Sequence, residues 1–338
     1  MAQRETRSRR PTQYDVARLA GVSQTTVSNI LNNNTMISVP EETRQRILAA
    51  IQELGYIPDR NARSLRTQKT YTIAAIIPDI TNPYYPSFMR GIQDVAEAHD
   101  YDLITYNSDG ICEKEVKCLH SIQNNRVDGL ITALFHDYDD FLLSLDIPVV
   151  KLANKPEGEH LFDIVSFDNI AAARVIVNYL IAKRYLPIAM IAGVPNTPAD
   201  QRSNGYRLEL EAHNLPVDEN LVIHGNYAEK GGYDAMQKLL AQPCRPRAVF
   251  AANDLMAMGA MLAIYEAGLR VPQDIAIAGV DDIPAARLVN PPLTTINQFQ
   301  KNIGRKAAEM LFERIDGIIL GEGRTVECPF EFVIRESA

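Results

Sequence analysis

The stretch Tyr14-Asp-Val-Ala-Arg-Leu-Ala-Gly21-Val-Ser-Gln-Thr-Thr-Val-Ser-Asn-Ile-Leu31 decides the fold of the N-terminal part of the chain. Apolar residues recur on both sides of Gly21 with the three- and four-residue spacing of an amphipathic helix. They are Val16, Leu19 and Ala20 before the glycine and Val27, Ile30 and Leu31 after it. Two short helices joined by a turn that contains glycine form the helix-turn-helix unit, which lays its second helix in the DNA major groove. The stretch therefore predicts two such helices, each with one face to bury.

The residues that flank these helices favour the same boundaries. Thr12 followed three residues later by Asp15 resembles a capping box at the start of the first helix, and Ser23 is suited to cap the second. Gly21 is predicted to end the first helix, because glycine adopts the left-handed conformation common after a helix C-terminus.

A third helix is predicted between Pro40 and Gly55. Proline is favoured at the first helical position, and Glu41 and Glu42 suit the positive N-terminal end of the helix. Its apolar stripe, which would close a three-helix core, consists of Ile47, Leu48, Ile51 and Leu54. The alternative is an arbitrary small helical bundle. The small residue Ala17, the glycine four residues later and Val27 in the second helix favour the helix-turn-helix.

Charge is distributed unevenly along the chain. Residues 1–70 contain 11 Lys and Arg against 6 Asp and Glu, a net charge of +5 within a total of −8. The remaining residues carry 23 basic and 36 acidic side chains, a net charge of −13. Attraction to phosphates supplies most of the non-specific affinity for DNA, and the basic segment coincides with the helical motif. The N-terminal part is therefore predicted to bind double-stranded DNA.

Length and composition indicate a globular protein of 338 residues, long enough for one small and one large two-lobed domain. The polar, Arg-rich start and the lack of an 18-residue apolar run predict no signal peptide, no membrane partner and a cytoplasmic location. The four scattered cysteines, without metal-ligand spacing, predict reduced thiols, no disulfide and no metal site. We also expect no cofactor.

From Tyr71 onward, apolar runs alternate with amphipathic stretches. The predicted strands are Thr72 to Pro78, Asp102 to Tyr106, Asp128 to Ala133, Pro148 to Leu152, Pro187 to Ala192, Ala248 to Ala252 and Asp274 to Val280. The predicted helices between them include Phe88 to Ala98, Ile170 to Ala182, Leu255 to Ala267 and Ile303 to Ile315. Such alternation predicts an α/β fold of doubly wound parallel sheets in two lobes, with a ligand cleft beyond the carboxyl ends of the strands.

A series of motifs in this order closely resembles the lactose/galactose repressor (LacI/GalR) family of bacterial transcription regulators. The motifs are Tyr14-Asp-Val-Ala through Val27-Ser28, Gly55-Tyr-Ile-Pro58, Asn82-Pro-Tyr-Tyr85, Val127-Asp-Gly-Leu130, Arg202-Ser-Asn-Gly-Tyr206, Ala252-Asn-Asp254, Gly268-Leu-Arg-Val-Pro272, Val280-Asp-Asp282 and Pro292-Leu-Thr-Thr-Ile296. The resemblance implies a λ-repressor-like helix-turn-helix with a hinge helix and a two-lobed periplasmic-binding-protein-like domain. It further implies a homodimer that binds a pseudo-palindromic operator and responds to a small molecule in the cleft.

The resemblance also implies the domain boundaries. Residues 1–57 are expected to form a three-helix DNA-binding domain, 58–70 a hinge, and 71–338 a domain for effector binding and dimerisation. Within that domain, the N-lobe is expected to contain about 71–165 and 299–327, and the C-lobe about 166–298 and 328–338.

The resemblance assigns DNA contacts to several residues. Base reading falls to Gln24, Thr25 and Asn29, because amide side chains pair with adenine edges and a threonine methyl contacts thymine. Arginine is commoner in the family where this chain has Asn29, so the operator half-site is expected to differ. Positioning contacts or groove contacts are expected from Thr12, Tyr14, Ser23, Thr26, Ser28, Ala62 and Arg63. Leu65 matches a leucine that wedges into the minor groove at the operator centre.

The resemblance also assigns an effector site. Arg202, Asn253 and Asp281 follow predicted strands or begin helices, and a guanidinium, an amide and a carboxylate together suit a hydroxyl-rich or polar-ring ligand. Tyr227 matches an aromatic residue that stacks on the ligand. Contacts from the other lobe are expected from Asp79, Tyr84 and Tyr85. Ala153 stands where the family frequently has Asp, with Asn154 next to it, so sugar specificity is not expected to transfer directly.

The expected function is a transcription regulator, a repressor rather than an enzyme, whose effector is a sugar or sugar derivative. A purine-type or other metabolite corepressor is the alternative. An enzyme with a DNA-binding head is disfavoured because the sequence lacks the phosphate-loop, nucleophile-elbow and zinc-protease motifs. A transport-type binding protein is disfavoured by the basic N-terminal segment.

Overall fold

The computed structural model describes residues 11–31, 39–56, 69–155, 158, 160–195 and 200–338. The chain divides into two compact units, Met1–Thr70 and Tyr71–Ala338. None of the helices in the described ranges is long and apolar enough to cross a membrane.

The N-terminal unit contains three helices in its described part. They are α1 (Gln13–Ala20), α2 (Gln24–Leu31) and α3 (Glu41–Leu54). The predicted capping box is present, since the hydroxyl of Thr12 accepts a hydrogen bond from the backbone N–H of Asp15, whose carboxylate accepts from the Thr12 N–H. Gly21 and Gly55 follow α1 and α3 in the left-handed conformation, as expected. Pro40 lies one residue before α3 instead of at its first position.

The core of this unit differs from the sequence expectation at two leucines. Leu19 is 46% exposed and Leu48 is 43% exposed, so neither closes the core. Each residue of a helix is rotated by about 100° from the one before it, so Leu48 points away from the face of Ile47. The small side chain of Ala50 occupies the buried face, and Ala17 does the same in α1. Small residues at these positions let the helices pack closely.

The N-lobe of the second unit is built on a six-stranded parallel sheet in its described residues. The strands are β1 (Thr72–Ile77), β2 (Asp102–Asn107), β3 (Gly129–Thr132), β4 (Val149–Leu152), β5 (Asp163–Phe167) and β11 (Thr325–Cys328). Their order in the sheet is β11-β5-β4-β3-β1-β2. The helices of this lobe are α4 (Tyr84–Ala98), α5 (Cys112–Asn125), α6 (Asp139–Ser144) and α11 (Gln300–Ile315).

The C-lobe contains, in its described residues, a four-stranded parallel sheet. Its strands are β6 (Ile188–Ala192), β7 (Val222–His224), β8 (Ala248–Ala251) and β9 (Ala276–Ala278). Their order in the sheet is β7-β6-β8-β9. Its helices are α7 (Asn169–Ala182), α8 (Gln201–Ala212), α9 (Glu229–Leu240) and α10 (Asp254–Glu266), with 3₁₀ turns at Glu219–Leu221 and Pro284–Arg287. A short antiparallel pair, β10 (Thr295–Asn297) and β12 (Glu331–Val333), completes the lobe.

The chain crosses between the lobes at three places. These crossings follow β5, β10 and β11 and lead into α7, α11 and β12, respectively. β5 extends to Phe167 and β11 to Cys328, so two of the crossings begin after these residues. The cleft between the lobes is therefore bordered by crossing segments on one side.

The α/β fold with doubly wound parallel sheets is confirmed, and every strand named from the sequence is present. Five further strands, β5, β7, β10, β11 and β12, were not predicted from the sequence. These strands have only three to five residues. Polar residues interrupt the apolar run on which strand prediction depends, such as Asp163 and Ser166 in β5 and Thr325 and Glu327 in β11.

Close contact between α4 and α11 holds the two longest helices of the N-lobe together. A Cβ atom placed on Gly304 would lie 1.9 Å from the backbone oxygen of Phe88, and one on Gly91 would lie 2.0 Å from that of Lys301. Real side-chain contacts never approach this closely, so both positions need a residue without a side chain.

We predict that Gly304→Ala destabilises the protein by about 1–3 kcal/mol, because the added methyl group must push the helix backbones apart. Urea unfolding gives this free energy. Glu309→Ala, at an exposed position of the same helix, is the control and should change it by less than about 0.5 kcal/mol. Equal stability of Gly304→Ala and the control would contradict the observed packing.

Candidate functional site

The exposed side of α2 carries the residues expected to read bases. Gln24 and Thr25 are exposed, and Asn29 is half-buried, whereas Val27 and Ile30 on the other side are buried in the helical core. The amide of Gln24 donates to the side-chain oxygen of Gln13 at 3.3 Å. This arrangement leaves a polar helix face of the type that enters a major groove.

The remaining described residues of the expected DNA site surround this face. The hydroxyl of Ser23 accepts a hydrogen bond from the backbone N–H of Thr26 at 3.1 Å and lies 2.8 Å from its hydroxyl, so Ser23 caps α2 as predicted. Ser28 is half-buried, while Tyr14 is 64% exposed at the start of α1. Thr12 holds the α1 cap. Ala62, Arg63 and Leu65 lie outside the described residues.

A cavity of about 420 Å³ lies between the two lobes of the second unit. All of the residues expected from the sequence to contact an effector line it: Asp79, Tyr84, Tyr85, Arg202, Tyr227, Asn253 and Asp281. They come from segments that follow parallel strands or begin the next helix. The structure thus brings this predicted set together at the carboxyl ends of both sheets, where α/β proteins bind ligands.

Arg202 and Asp281 place opposite charges inside the cavity wall. Arg202 lies in the first turn of α8, and its guanidinium donates through Nε to the side-chain oxygen of Asn169 at 2.8 Å and through Nη1 to the carbonyl of Ala252. Its Nη1 is 3.9 Å from Oδ1 of Asp281. The guanidinium is therefore oriented mainly by neutral oxygens, and it faces the carboxylate from a distance longer than a hydrogen bond.

The carboxyl group of Asp281 is buried and shifted toward its neutral form. Desolvation raises its pKa to about 7, against the opposing effects of the Arg202 guanidinium and of a hydrogen bond from Gln298. That bond joins the Gln298 amide nitrogen to Oδ1 at 2.6 Å. A carboxyl with a pKa near neutrality changes charge within the physiological range, so its acceptor strength depends on pH.

A second buried carboxyl, Asp254, holds the backbone on which Asp281 lies. Oδ2 of Asp254 accepts from the backbone N–H of Ile283 at 3.0 Å, and Oδ1 is 2.5 Å from the hydroxyl of Thr295. Burial and the nearby Asp281 raise the pKa of Asp254 well above its ordinary value. Asp281 itself has a φ of 125°, a conformation that side chains disfavour. These hydrogen bonds hold the loop in that conformation.

Asn253 and Tyr227 are joined in the C-lobe wall. The side-chain oxygen of Asn253 caps α10 by accepting from the N–H of Met256 at 3.0 Å, while its amide donates to the backbone oxygen of Tyr227 at 2.9 Å. Asn253 therefore has a structural task in addition to lining the cavity. Tyr227 presents its ring to the cavity from a left-handed backbone position with a φ of 64°.

Part of the N-lobe wall is provided by Asp79, in the segment before α4, and by Tyr84 and Tyr85 in the first turn of α4. The carboxylate of Asp79 accepts from the backbone and hydroxyl of Thr81 at 2.8 and 2.6 Å. Burial is the main cause that raises the pKa of both Tyr84 and Tyr85 well above that of free tyrosine. Both phenols therefore remain protonated and can donate hydrogen bonds.

Several lining residues were not identified from the sequence. They are Asp109, Phe135, Asn169, Asn226 and Gln298. Of these, Asn169 and Gln298 lie at crossings between the lobes, where no periodic pattern marks them. The polar residue at the exit of β4, Asn154, also lines the cavity. In the described ranges, no cluster of His, Cys, Asp or Glu is arranged to hold a metal ion, and the four cysteines are unpaired.

Comparison with known proteins agrees with this two-part architecture. Residues 12–59 match the model of bacterial regulatory proteins of the lacI family, and residues 177–338 match that of a periplasmic binding protein-like domain. The ribose operon repressor of Escherichia coli (strain K12) is 37% identical over 310 residues, which span 90% of this chain and 93% of that repressor. The chain belongs to the lacI family.

Two further comparisons extend over nearly the full length of this lacI-family member. The transcriptional repressor PurR of Pasteurella multocida (strain Pm70) is 36% identical over 328 residues, which cover 96% of this chain and 97% of PurR. The crystal structure of the lac repressor dimer, bound to operator and the anti-inducer ONPF, has a TM-score of 0.86 at 26% identity. The match covers 97% of this chain and 99% of the lac repressor chain. The resemblance stated from sequence is confirmed.

We predict that the free energy of unfolding falls as pH rises from about 4 to about 7, in part because of Asp281. Its folded-state pKa of about 7 exceeds the ordinary aspartate value near 3.9, so the folded protein holds a proton that the unfolded chain has lost. Asp281→Asn should make this slope shallower by up to about 1.4 kcal/mol per pH unit.

Urea unfolding at several pH values measures the slope. Asp140→Asn, which removes an exposed carboxylate on α6, is the control and should leave the slope as in the wild type. A slope that Asp281→Asn leaves unchanged would show that the carboxyl does not carry the raised pKa.

Proposed function

We propose that this protein is a homodimeric, cytoplasmic transcription repressor whose affinity for a pseudo-palindromic operator is controlled by a small neutral carbohydrate in the interlobe cavity. It acts by binding and not by catalysis. The observation that supports this most directly is the convergence of all seven expected effector residues on one cavity in a chain of the lacI family.

The charges around the cavity favour a neutral ligand. Among the described lining residues, Asp79, Asp109 and Asp281 are acidic, whereas Arg202 is the cationic one. The Nε and Nη1 groups of that guanidinium already bond to protein oxygens. Lys114 pairs with Asp109, and Asp281, whose pKa is raised to about 7, is partly neutral. Within the described lining, a phosphorylated ligand would therefore meet the carboxyl groups of Asp79 and Asp281 and no cation other than a guanidinium that is already bonded to the protein.

The polar and aromatic groups of the wall favour a sugar ring. Carboxylates accept hydrogen bonds from hydroxyl groups, and amides such as Asn154 and Asn226 both donate and accept. The ring of Tyr227 offers an apolar face for the C–H side of a sugar. The ribose operon repressor, one of the relatives, bears the name of a sugar operon.

A purine-type ligand is the second candidate. The aromatic side chains Phe135, Phe167 and Tyr227 all line the cavity and could stack on a flat ring. A thermal-shift panel of neutral sugars, their phosphates and purine bases separates the candidates. The proposal requires that at least one neutral sugar raises the melting temperature of the protein and that the phosphate of this sugar does not. Shifts with purines alone would replace the carbohydrate by a purine.

We predict that Arg202→Ala abolishes the shift produced by the active sugar while leaving operator binding within about 1 kcal/mol of the wild type. The guanidinium lines the cavity and orients Asn169, whereas the operator contacts are assigned to α2. Arg207→Ala is the matched control, because Arg207 lies on the same helix and pairs with Glu219 at the surface. Arg207→Ala should keep the full thermal shift with the active sugar.

Circular dichroism should show that Arg202→Ala is folded, since removal of a buried charge partner costs stability. If a folded Arg202→Ala protein kept its ligand response, the assignment of Arg202 would be wrong.

We predict that Gln24→Ala weakens binding to the best operator by about 1–3 kcal/mol and relaxes the preference at one base pair in each half-site. The exposed amide of Gln24 suits pairing with a base edge, and its loss leaves the phosphate contacts in place. Selection of bound duplexes from a random pool, followed by titration of single-base variants, measures both effects. Gln45→Ala, on the exposed side of α3, is the control. A uniform loss of affinity for all sequences would instead assign Gln24 to the phosphate backbone.

A further inference from the structure

Phe135 connects the two walls of the cavity. It lies in the loop after β3, in the N-lobe, and its ring centroid is 6.3 Å from that of Tyr227 in the C-lobe, with an interplanar angle of 55°. Tilted aromatic pairs at this distance attract one another. The two rings therefore form a continuous aromatic boundary across the cleft.

A buried carboxylate holds the backbone of Phe135. Glu115 lies in the first turn of α5 and is fully buried. Its Oε1 accepts a hydrogen bond from the backbone N–H of Phe135 at 2.8 Å, and its Oε2 is 2.7 Å from Nδ1 of His136. Burying a carboxylate is costly unless it is fully hydrogen-bonded, so these two contacts link α5 firmly to the loop.

The ring of Phe135 is fixed from a second direction by Gly110. A Cβ atom on Gly110 would lie 2.7 Å from both Cδ2 and Cε2 of the ring, so the ring rests directly on the glycine backbone. Gly110 also has a φ of 63°, which glycine adopts without strain. The backbone of the loop and the plane of the ring are thus both constrained by residues outside the cavity lining.

We propose that Phe135 is a specificity-determining wall that restricts the cavity to single-ring ligands, and that Glu115 is the positioning residue that keeps this wall in place. The proposal rests on the proposed function and deepens it. A second sugar ring would have to displace Phe135 from its contacts with Gly110 and Tyr227. A displacement of the ring that moves the loop backbone would also break the hydrogen bond between the Phe135 N–H and Glu115.

The first test measures how accessible the side chain at position 135 is to solvent, and it needs no ligand. The chain contains no tryptophan, so Phe135→Trp introduces a single fluorescent reporter at this position. Acrylamide quenching should increase severalfold when Glu115→Ala is added to Phe135→Trp, because the loop loses its hydrogen bond to the buried carboxylate.

Two control variants are added to Phe135→Trp in the same way. Glu115→Gln should keep the low quenching, since its amide oxygen accepts from the same N–H and its nitrogen can donate to His136. Glu113→Ala is the matched control, because Glu113 is exposed and lies in the same turn of α5 as Glu115. Equal quenching in all four proteins would overturn the positioning role.

The second test measures selectivity by calorimetry with D-ribose, D-glucose, D-galactose, cellobiose and lactose. The ratio of the Kd for a disaccharide to that for its constituent monosaccharide should fall about tenfold or more in Phe135→Ala and in Glu115→Ala. It should stay at the wild-type value in Glu115→Gln and Glu113→Ala. An unchanged ratio in the two alanine variants, or equal affinity of the wild type for both sizes, would overturn the wall.

These results are separable from a failure of the proposed function. If no sugar of any size binds the wild type, the carbohydrate proposal is wrong, and with it the stated size selectivity. The quenching experiment would still decide whether Glu115 positions Phe135.

Discussion

Burial of the Asp281 carboxyl imposes the constraint around which the cavity of this protein is built. A carboxyl removed from water must be neutralised or surrounded by donors, and here both occur. Gln298 donates to its side chain and Gln300 to its backbone oxygen, while Arg202 provides a positive charge at 3.9 Å. Asp254 fixes the next turn of the loop through Ile283. The groups that line the cavity are therefore also the groups that allow Asp281 to be there.

Much of this arrangement could be predicted from the sequence, because the governing signals are local. Polar residues placed directly after apolar strands meet at one edge of a parallel sheet, which is why Asn253 and Asp281 fall together. Capping residues such as Thr12 and the glycine after α1 mark helix ends by simple hydrogen-bond chemistry. Relating these positions to the lacI family added Tyr84 and Tyr85, which no periodicity marks as ligand contacts.

Other features depend on tertiary packing and could not be predicted in this way. Leu19 and Leu48 fit an apolar spacing, but the closeness of the helices places alanines in the core instead. In the sequence, Glu115 is indistinguishable from an ordinary acidic residue near a helix N-terminus. Its role becomes visible only when the loop after β3 is seen to bond to it. Gln298 lies at a crossing between the lobes. No local sequence pattern predicts that its side chain bonds to Asp281.

The position of Gln298 has a further consequence for how a ligand acts on this fold. Gln298 belongs to the crossing between β10 and α11, and its amide occupies Oδ1 of Asp281. A carboxylate accepts several hydrogen bonds, so a ligand hydroxyl on Asp281 would share this acceptor with the crossing segment. A ligand shifts a conformational equilibrium only by the difference in its affinity for the two states. A ligand bound at Asp281 would therefore act on the position of the lobes only if the contact between Gln298 and Asp281 differed between those states.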